Sequence, residues 1–535
     1  MASTDLHLGT FSDTGPWTIE PEALAWRRGL AGVRTRLTAS LPSLTRPRSL
    51  PPGRRLGTTV RHLGGALALW YLQERRRGGT ASIAGISRRL RVAAEKLGPT
   101  YIKLGQIIAS GDGVFPSELV AEFKWCRDQV TPEPWPVVEQ VLIEELGGPL
   151  STVFASVERT PLAAASIAQV HAATLRDGTP VVVKVQRPAV SERVRQDLAV
   201  MSWLAPHLVG RIPVAALANP PALVELFAET IVEELDFRLE AENMLDIAAT
   251  FAALDQRDFV VPRPHPTLVT RRMLVMERLD GFHFGDVAGM QAAGIDTEAV
   301  VRAGMIGFLE GALFYGIFHG DLHGGNLFVL PSGKTALLDF GITGRLTEPK
   351  RLALLSLLVG ASNGDIPVQV GALRDLGAFP GDVDVQHLID VLGLDRPPLD
   401  PTALTADELV AEMQRSIKTL LGIGARLPKE LMLFVKNMMF LDGAIATLAP
   451  DLDLFAEVEA IALLFAAKHG ERIMAQLGLE QADDWAPDMA GIKAGFGLDE
   501  STEGLTHREL QARRAQVREK FEGRGRPGRR RRAPK

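Results

Sequence analysis

Two short segments constrain this chain more than any other feature: HGDLHGGNLF at 319–328 and, thirteen residues beyond Asn326, the triplet Asp339-Phe340-Gly341. Both are flanked by apolar, strand-like residues, NLFVL and TALLD, so the polar groups sit at strand ends. Asp and Asn side chains offer the oxygen ligands that hard divalent cations take. Gly324 and Gly325 allow the chain to turn tightly between Asp321 and Asn326. A zinc site built from His319, Asp321 and His323 is the rival use of these residues, but three positions two apart with no fourth ligand match zinc spacing poorly.

The order His319-x-Asp321-x-x-x-x-Asn326, then Asp339-Phe340-Gly341, reproduces the catalytic loop and metal-binding triplet of protein kinases. Transfer of a γ-phosphoryl group requires cations that neutralise phosphate oxygens, which assigns Asn326 and Asp339 to Mg²⁺ and Asp321 to orienting or deprotonating the attacking hydroxyl or water. Upstream, Lys184 lies inside the strand-like run VVVKVQ. Alone it reads as an exposed strand lysine; its position ahead of the loop assigns it to the α- and β-phosphates. A long helical stretch over about 221–254 offers Glu234, Asp236 and Glu240 as carboxylate partners for it. Glu234 and Glu240 are six residues apart, about 600° of helical rotation, so on one helix they serve different partners. Glu233 and Glu242 read as solvating the helix. Where a kinase has its glycine-rich loop this chain has PLAAASIAQVH, in which Ala163, Ala164, Ala165 and Ser166 permit approach of backbone N–H groups to phosphate while each Cβ disfavours positive φ.

At 535 residues the chain is too long for one core. VFASVE, AQVHAATL and PVVVKVQ predict a three-strand meander with a turn at 176–179, and two short β segments follow at 267–278. The Pro-, Ser- and Arg-rich stretch 38–55 predicts a flexible linker, with ordered structure beginning after it. The net charge of −5 hides two basic ends: residues 23–73 hold nine arginines and no acid, and 523–535 reads GRGRPGRRRRAPK. Such segments suit anionic lipid or nucleic acid, or simply solvent. The single cysteine, Cys126, excludes an intrachain disulfide and a thiolate metal cluster. The longest apolar runs, at 64–72, 305–318 and 352–360, fall short of a membrane span, and no secretory leader is expected.

Six ordered segments, KLGQ at 103–106, PLAAASIAQVH at 161–171, VVVKVQRP at 181–188, ELDFRLEAEN at 234–243, HGDLHGGN at 319–326 and LLDFG at 337–341, resemble the signature set of the UbiB/ADCK (aarF-domain) family. The resemblance implies an α+β, atypical protein-kinase-like, two-lobed fold with a helical N-terminal extension. It implies a regulatory group of Lys103, Gln106, Glu234 and Asp236 at the cleft, with Glu240 paired to the catalytic Lys184. It further implies binding of ATP or ADP with Mg²⁺, with Ala163 to Ser166, Lys184, Met276 and Glu277 around the nucleotide. The expected boundaries are a basic, partly disordered arm over 1–80, a helical extension over 81–150, an N-lobe over 151–280, a helical C-lobe over 281–470 and a C-terminal segment with a basic tail over 471–535. The implied function is an atypical kinase or ATPase in prenyl-quinone or isoprenoid-lipid metabolism, cytoplasmic with peripheral membrane contact. Its partners would be an anionic membrane surface or isoprenoid lipid and quinone-biosynthesis proteins, with no specific nucleic acid. A nucleotide-binding scaffold without turnover is the alternative. A conventional Ser/Thr kinase fits less well, since the glycine loop and an Ala-Pro-Glu motif are missing. Ala168 stands where the family commonly has glycine, and Gly320 and Leu322 where it often has Ala and Pro.

Overall fold

The computed structural model describes residues 10–46 apart from 14, 53–109 apart from 78, 116–125, 131–208, 220–395, 408, 415, 419–420, 422–425, 428–478, 488–495, 498–499 and 501–522. Cys126 and the basic tail lie outside these residues. The chain forms two compact units, one of Met1–Gly281 with Ala336–Thr343, the other of Phe282–Thr335 with Gly344–Lys535. The short piece carrying Asp339 therefore belongs to the first unit, which chain order alone does not reveal.

In the first unit β1 (Phe154–Val157), β2 (Ala163–Ala164), β3 (Ala168–Leu175), β4 (Pro180–Gln186), β6 (Pro264–Val269) and β7 (Met273–Glu277) build one antiparallel sheet in the order β1-β3-β4-β7-β6, with β2 on β3; β5 (Phe259–Val260) lies outside it. The β3 to β4 turn closes at Gly178, whose φ of 89° suits a residue without Cβ. Alternation along β4 decides the rest. Val181, Val183 and Val185 are buried with Val138, Val141 and Leu142 of α6 (Trp135–Leu146), so Lys184 faces the other side of the sheet.

Helices α1 (Leu30–Thr45), α2 (Gly53–Gln73), α3 (Gly79–Leu97), α4 (Pro99–Ala109) and α5 (Ser117–Lys124) precede α6. The flexible linker expected over 38–55 is overturned on both sides, because α1 runs through Pro42 and α2 starts at Gly53. Long-range polar contacts explain the order. Arg55 Nε lies 2.5 Å from Asp197 Oδ1 on α7 (Val190–Leu208), and Arg34 donates to Asn243 Oδ1 at 3.1 Å. The preceding segment is anchored as well. Phe11, Ile19 and Leu30 are fully buried, and Arg263 packs over the Phe11 ring while donating to Ser12 O and Trp17 O at 2.8 and 3.0 Å.

The continuous helix expected over 221–254 is instead two, α8 (Pro220–Glu233) and α9 (Phe237–Ala253). Asp236 stops the first and caps the second, accepting from Arg238 N, while Leu235 O is taken by Gln186 Nε2 at 3.1 Å. Glu234 and Glu240 thus lie on different elements.

The second unit is mostly helical: α10 (Val287–Ala292), α11 (Thr297–Glu310), α12 (Glu348–Ser362), α13 (Ile366–Asp375), α14 (Val385–Leu392), α15 (Lys429–Leu448), α16 (Leu454–Leu477), α17 (Met489–Gly495) and α18 (His507–Glu522). Short strands β8 (Phe282–His283), β9 (Ile317–His319) and β10 (Leu327–Val329) lead into and out of the 319–326 loop. Phe308 of α11 meets Phe318 edge-on at 5.5 Å and stacks with Phe434 of α15 at 5.2 Å, which fixes α15 beneath that loop. By length and composition α15 also satisfies the criterion for a membrane-crossing helix, at 20 residues and mean hydropathy 1.5, with 44% of its apolar window buried inside the protein. The apolar runs singled out in the sequence did not include it.

Candidate active site

Lys184, Glu240 and Asp339 come together in the first unit. Lys184 Nζ donates to Glu240 Oε1 at 2.6 Å and to Asp339 Oδ1 at 3.2 Å, with the Phe237 ring 5.5 Å away. Burial works against the lysine's charge, but the two carboxylates outweigh it and hold the ammonium above its ordinary range. Burial also pushes the Glu240 carboxyl up, to about 7, with Lys184 pulling it down and Asp339 adding to the rise. Both groups move up for different reasons, Lys184 because two carboxylates face it and Glu240 because it is buried.

The helix face that carries Glu240 also holds the triplet. Asn243, one turn on, donates through Nδ2 to Phe340 O at 2.9 Å, and Phe340 N donates to Glu240 Oε1 at 3.4 Å. Phe340 is fully buried and Gly341 N closes onto Asp339 Oδ1 at 3.0 Å. A Cβ on Gly341 would sit 3.4 Å from Glu234 Cγ, so Glu234 abuts the triplet. Lys103 of α4 reaches the Glu234 carboxylate at 2.7 Å. Gln106 lies one turn beyond Lys103 on α4, half-buried. Asp236 is engaged otherwise, as the α9 cap and in a two-pronged pair with Arg238 at 2.9 and 2.7 Å. Glu242 is no idle surface acid, since Arg34 lies 3.4 Å from it and Arg27 3.6 Å.

The alanine-rich segment forms a closed hairpin. Ala163 and Ala164 pair with Val170 and Gln169, Ala165 N donates to Ala168 O at 2.8 Å, and Arg187 Nε donates to Ala165 O at 3.0 Å. The non-glycine residues with positive φ among those described are Ala189 and Asp255, so the hairpin needs no glycine conformation. Ser166 is buried in it. Met276 is buried in β7. The Glu277 side chain accepts from Ser12 Oγ and, at 3.2 Å, from Arg263 N, and its own N–H goes to Arg263 O at 2.9 Å. The anchored N-terminal segment thus already engages the residue assigned to the nucleotide.

In the second unit the 319–326 loop is held from inside and from α15. Asn326 Nδ2 donates to Asp321 O at 3.1 Å, which turns its amide oxygen the other way, as a cation ligand requires. His319 Nδ1 accepts from Asp321 N at 3.2 Å and His323 Nδ1 from Gly325 N at 3.1 Å. Asn437, fully buried, donates to His319 O and accepts from Leu322 N at 3.1 Å. Lys436 Nζ donates to Asp321 Oδ1. Sequence reasoning singled out neither Lys436 nor Asn437, and the available signal was a polar pair interrupting LMLFVKNMMF. Asn243 was likewise within reach as the residue three beyond Glu240. Hard oxygen donors at Asn326 and Asp339 fit Mg²⁺ by type.

Residues 126–368 match the ABC1 atypical kinase-like domain. An uncharacterized Mycobacterium tuberculosis protein, Rv0647c, is 36% identical over 373 residues, covering 66% of this chain and 73% of its own. The chain belongs to the ABC1 atypical kinase-like family. Other ABC1-type relatives carry kinase names. The Arabidopsis thaliana chloroplastic protein ACTIVITY OF BC1 COMPLEX KINASE 1 is 32% identical over 68% of this chain, which spans about half, 53%, of the plant protein. A probable protein kinase UbiB of Aliivibrio fischeri is 28% identical and covers 82% of both chains. The ABC1 match begins before β1 and ends in α13, so it takes in both the Lys184 cluster and the 319–326 loop.

Proposed function

We propose that this protein is an ATP-binding, Mg²⁺-dependent atypical kinase or ATPase that acts in, or regulates, prenyl-quinone or isoprenoid-lipid metabolism. The observation that carries the reading is the cluster in which the buried Lys184 serves the buried Glu240 and the half-exposed Asp339 at once. In that reading Lys184 neutralises the nucleotide's phosphates and Glu240 fixes the lysine. Asp339 and Asn326 would each offer Mg²⁺ an oxygen ligand, and the cation would supply charge neutralisation of phosphate oxygens. Asp321 accepts the proton of the attacking hydroxyl or water. The link to quinone chemistry rests on the UbiB relative. Contact with an anionic membrane is supported by α2, which exposes Val60, Leu69, Tyr71 and Leu72 on a segment rich in arginine.

A nucleotide-binding scaffold without turnover is the second reading. It is favoured by the Lys103 to Glu234 ion pair beside Gly341 and by the closed alanine hairpin. Phosphate release from ATP and Mg²⁺, with and without anionic liposomes, separates the two. Turnover by the wild type that falls about a hundredfold or more in Asp339→Asn and Asp321→Ala supports the enzyme. Nucleotide binding with no release above the Asp339→Asn background under any condition establishes the scaffold.

A further inference from the structure

Asp321 has no lysine or arginine near it in sequence, since 319–326 reads HGDLHGGN and its basic members are both histidines. Each of those rings accepts a backbone N–H at Nδ1, an arrangement that requires the unprotonated nitrogen. A lysine reaches Asp321 from 115 residues downstream, where Lys436 Nζ meets its Oδ1. Both side chains are largely enclosed, at 13% and 21% exposure. The neighbour of Lys436 fixes the register. The Asn437 amide satisfies His319 O and Leu322 N, the backbone groups on either side of Asp321, so a shift of α15 along its axis would break three contacts together. Adjacent residues of one helix thus grip the backbone and the carboxylate of the same loop.

We propose that Lys436 is a positioning residue for the phosphoryl-transfer step, holding the Asp321 carboxylate in the orientation in which it receives the nucleophile's proton, with Asn437 fixing the loop that carries it. This rests on the reading of Asp321 as the catalytic carboxylate.

The test compares the full-length wild type with Lys436→Met and Lys436→Arg. In Mg²⁺-ATP turnover, Lys436→Met is expected to lose about tenfold or more in kcat, as small misplacements of a reacting group do. Its KM and nucleotide Kd should stay within about threefold of the wild type, the pattern of an interaction that serves the transition state alone. Lys436→Arg, which keeps the cation and folds even if the methionine variant does not, is expected to recover most of the rate. A Lys436→Met rate equal to or above the wild type, or a loss confined to KM, overturns the proposal. If the wild type releases no phosphate, it is the functional reading that fails. The pair is then judged by acetylation of Lys436 followed by mass spectrometry. Faster modification in Asp321→Asn than in the wild type upholds it, and equal rates overturn it.

Discussion

One ammonium serves two carboxylates in the first unit, and that imbalance gives the residue scale its sharpest expectation. Glu240 is buried, and its carboxyl is already pushed up to about 7 with Lys184 in place. Removing the lysine leaves Glu240 beside Asp339 with no cation, which raises it further. A carboxyl whose folded-state pKa exceeds its unfolded value stabilises the fold most at pH below the unfolded value, and that stability is lost as pH rises through the folded one. The thermal midpoint of Lys184→Met should therefore keep falling as pH rises above about 7, where the contribution of Glu240 to the wild type levels off. Parallel curves for the two proteins would show that Glu240 does not depend on Lys184. Lys184 and Asp339 were legible because a strand lysine and the triplet stood in the right order, whereas Glu240 was one of three candidate acids until the UbiB/ADCK resemblance singled it out. Lys436 went unread because a lysine within an apolar helix has no motif of its own until the fold shows what it touches.

At the scale of elements, Gly105 explains why the KLGQ segment needs its glycine. A Cβ there would fall inside the Phe123 ring of α5, and Phe123 is itself buried. Gly105→Val should destabilise the packing of α4 on α5 by about 1–3 kcal/mol, the usual cost of overfilling a packed core. It would be measured as a lower denaturation midpoint for the first unit, and an unchanged midpoint would mean that α5 gives way at no cost. The strands were legible as β-branched and apolar runs around a turn, but the side of the sheet that Lys184 faces was not, because alone it reads as an exposed strand lysine. The break between α8 and α9 was not, since EELDFRLE scores as helix throughout and only the Asp236 cap and the Gln186 contact show where the chain turns. Nor was the order of the arm, where prolines and arginines over 38–55 suggested a linker. Buried partners supplied from far away, Asp197 for Arg55 and Arg263 for Phe11, override that local composition.

For the whole molecule, the residues assigned to the proposed chemistry divide between the two units. Lys184, Glu240 and Asp339 belong to the first and Asp321, Asn326 and Lys436 to the second. The family match runs through both. The account stands on the claim that Lys184 and Asp339 serve a magnesium-bound adenine nucleotide. Titration calorimetry of the full-length protein with ATP, with Mg²⁺ and with EDTA, tests it most directly. We expect Mg²⁺-dependent binding that weakens about tenfold or more, some 1.4 kcal/mol, in Lys184→Met and in Asp339→Asn. Affinity indifferent to Mg²⁺ and to both substitutions, or no binding at all, would contradict it.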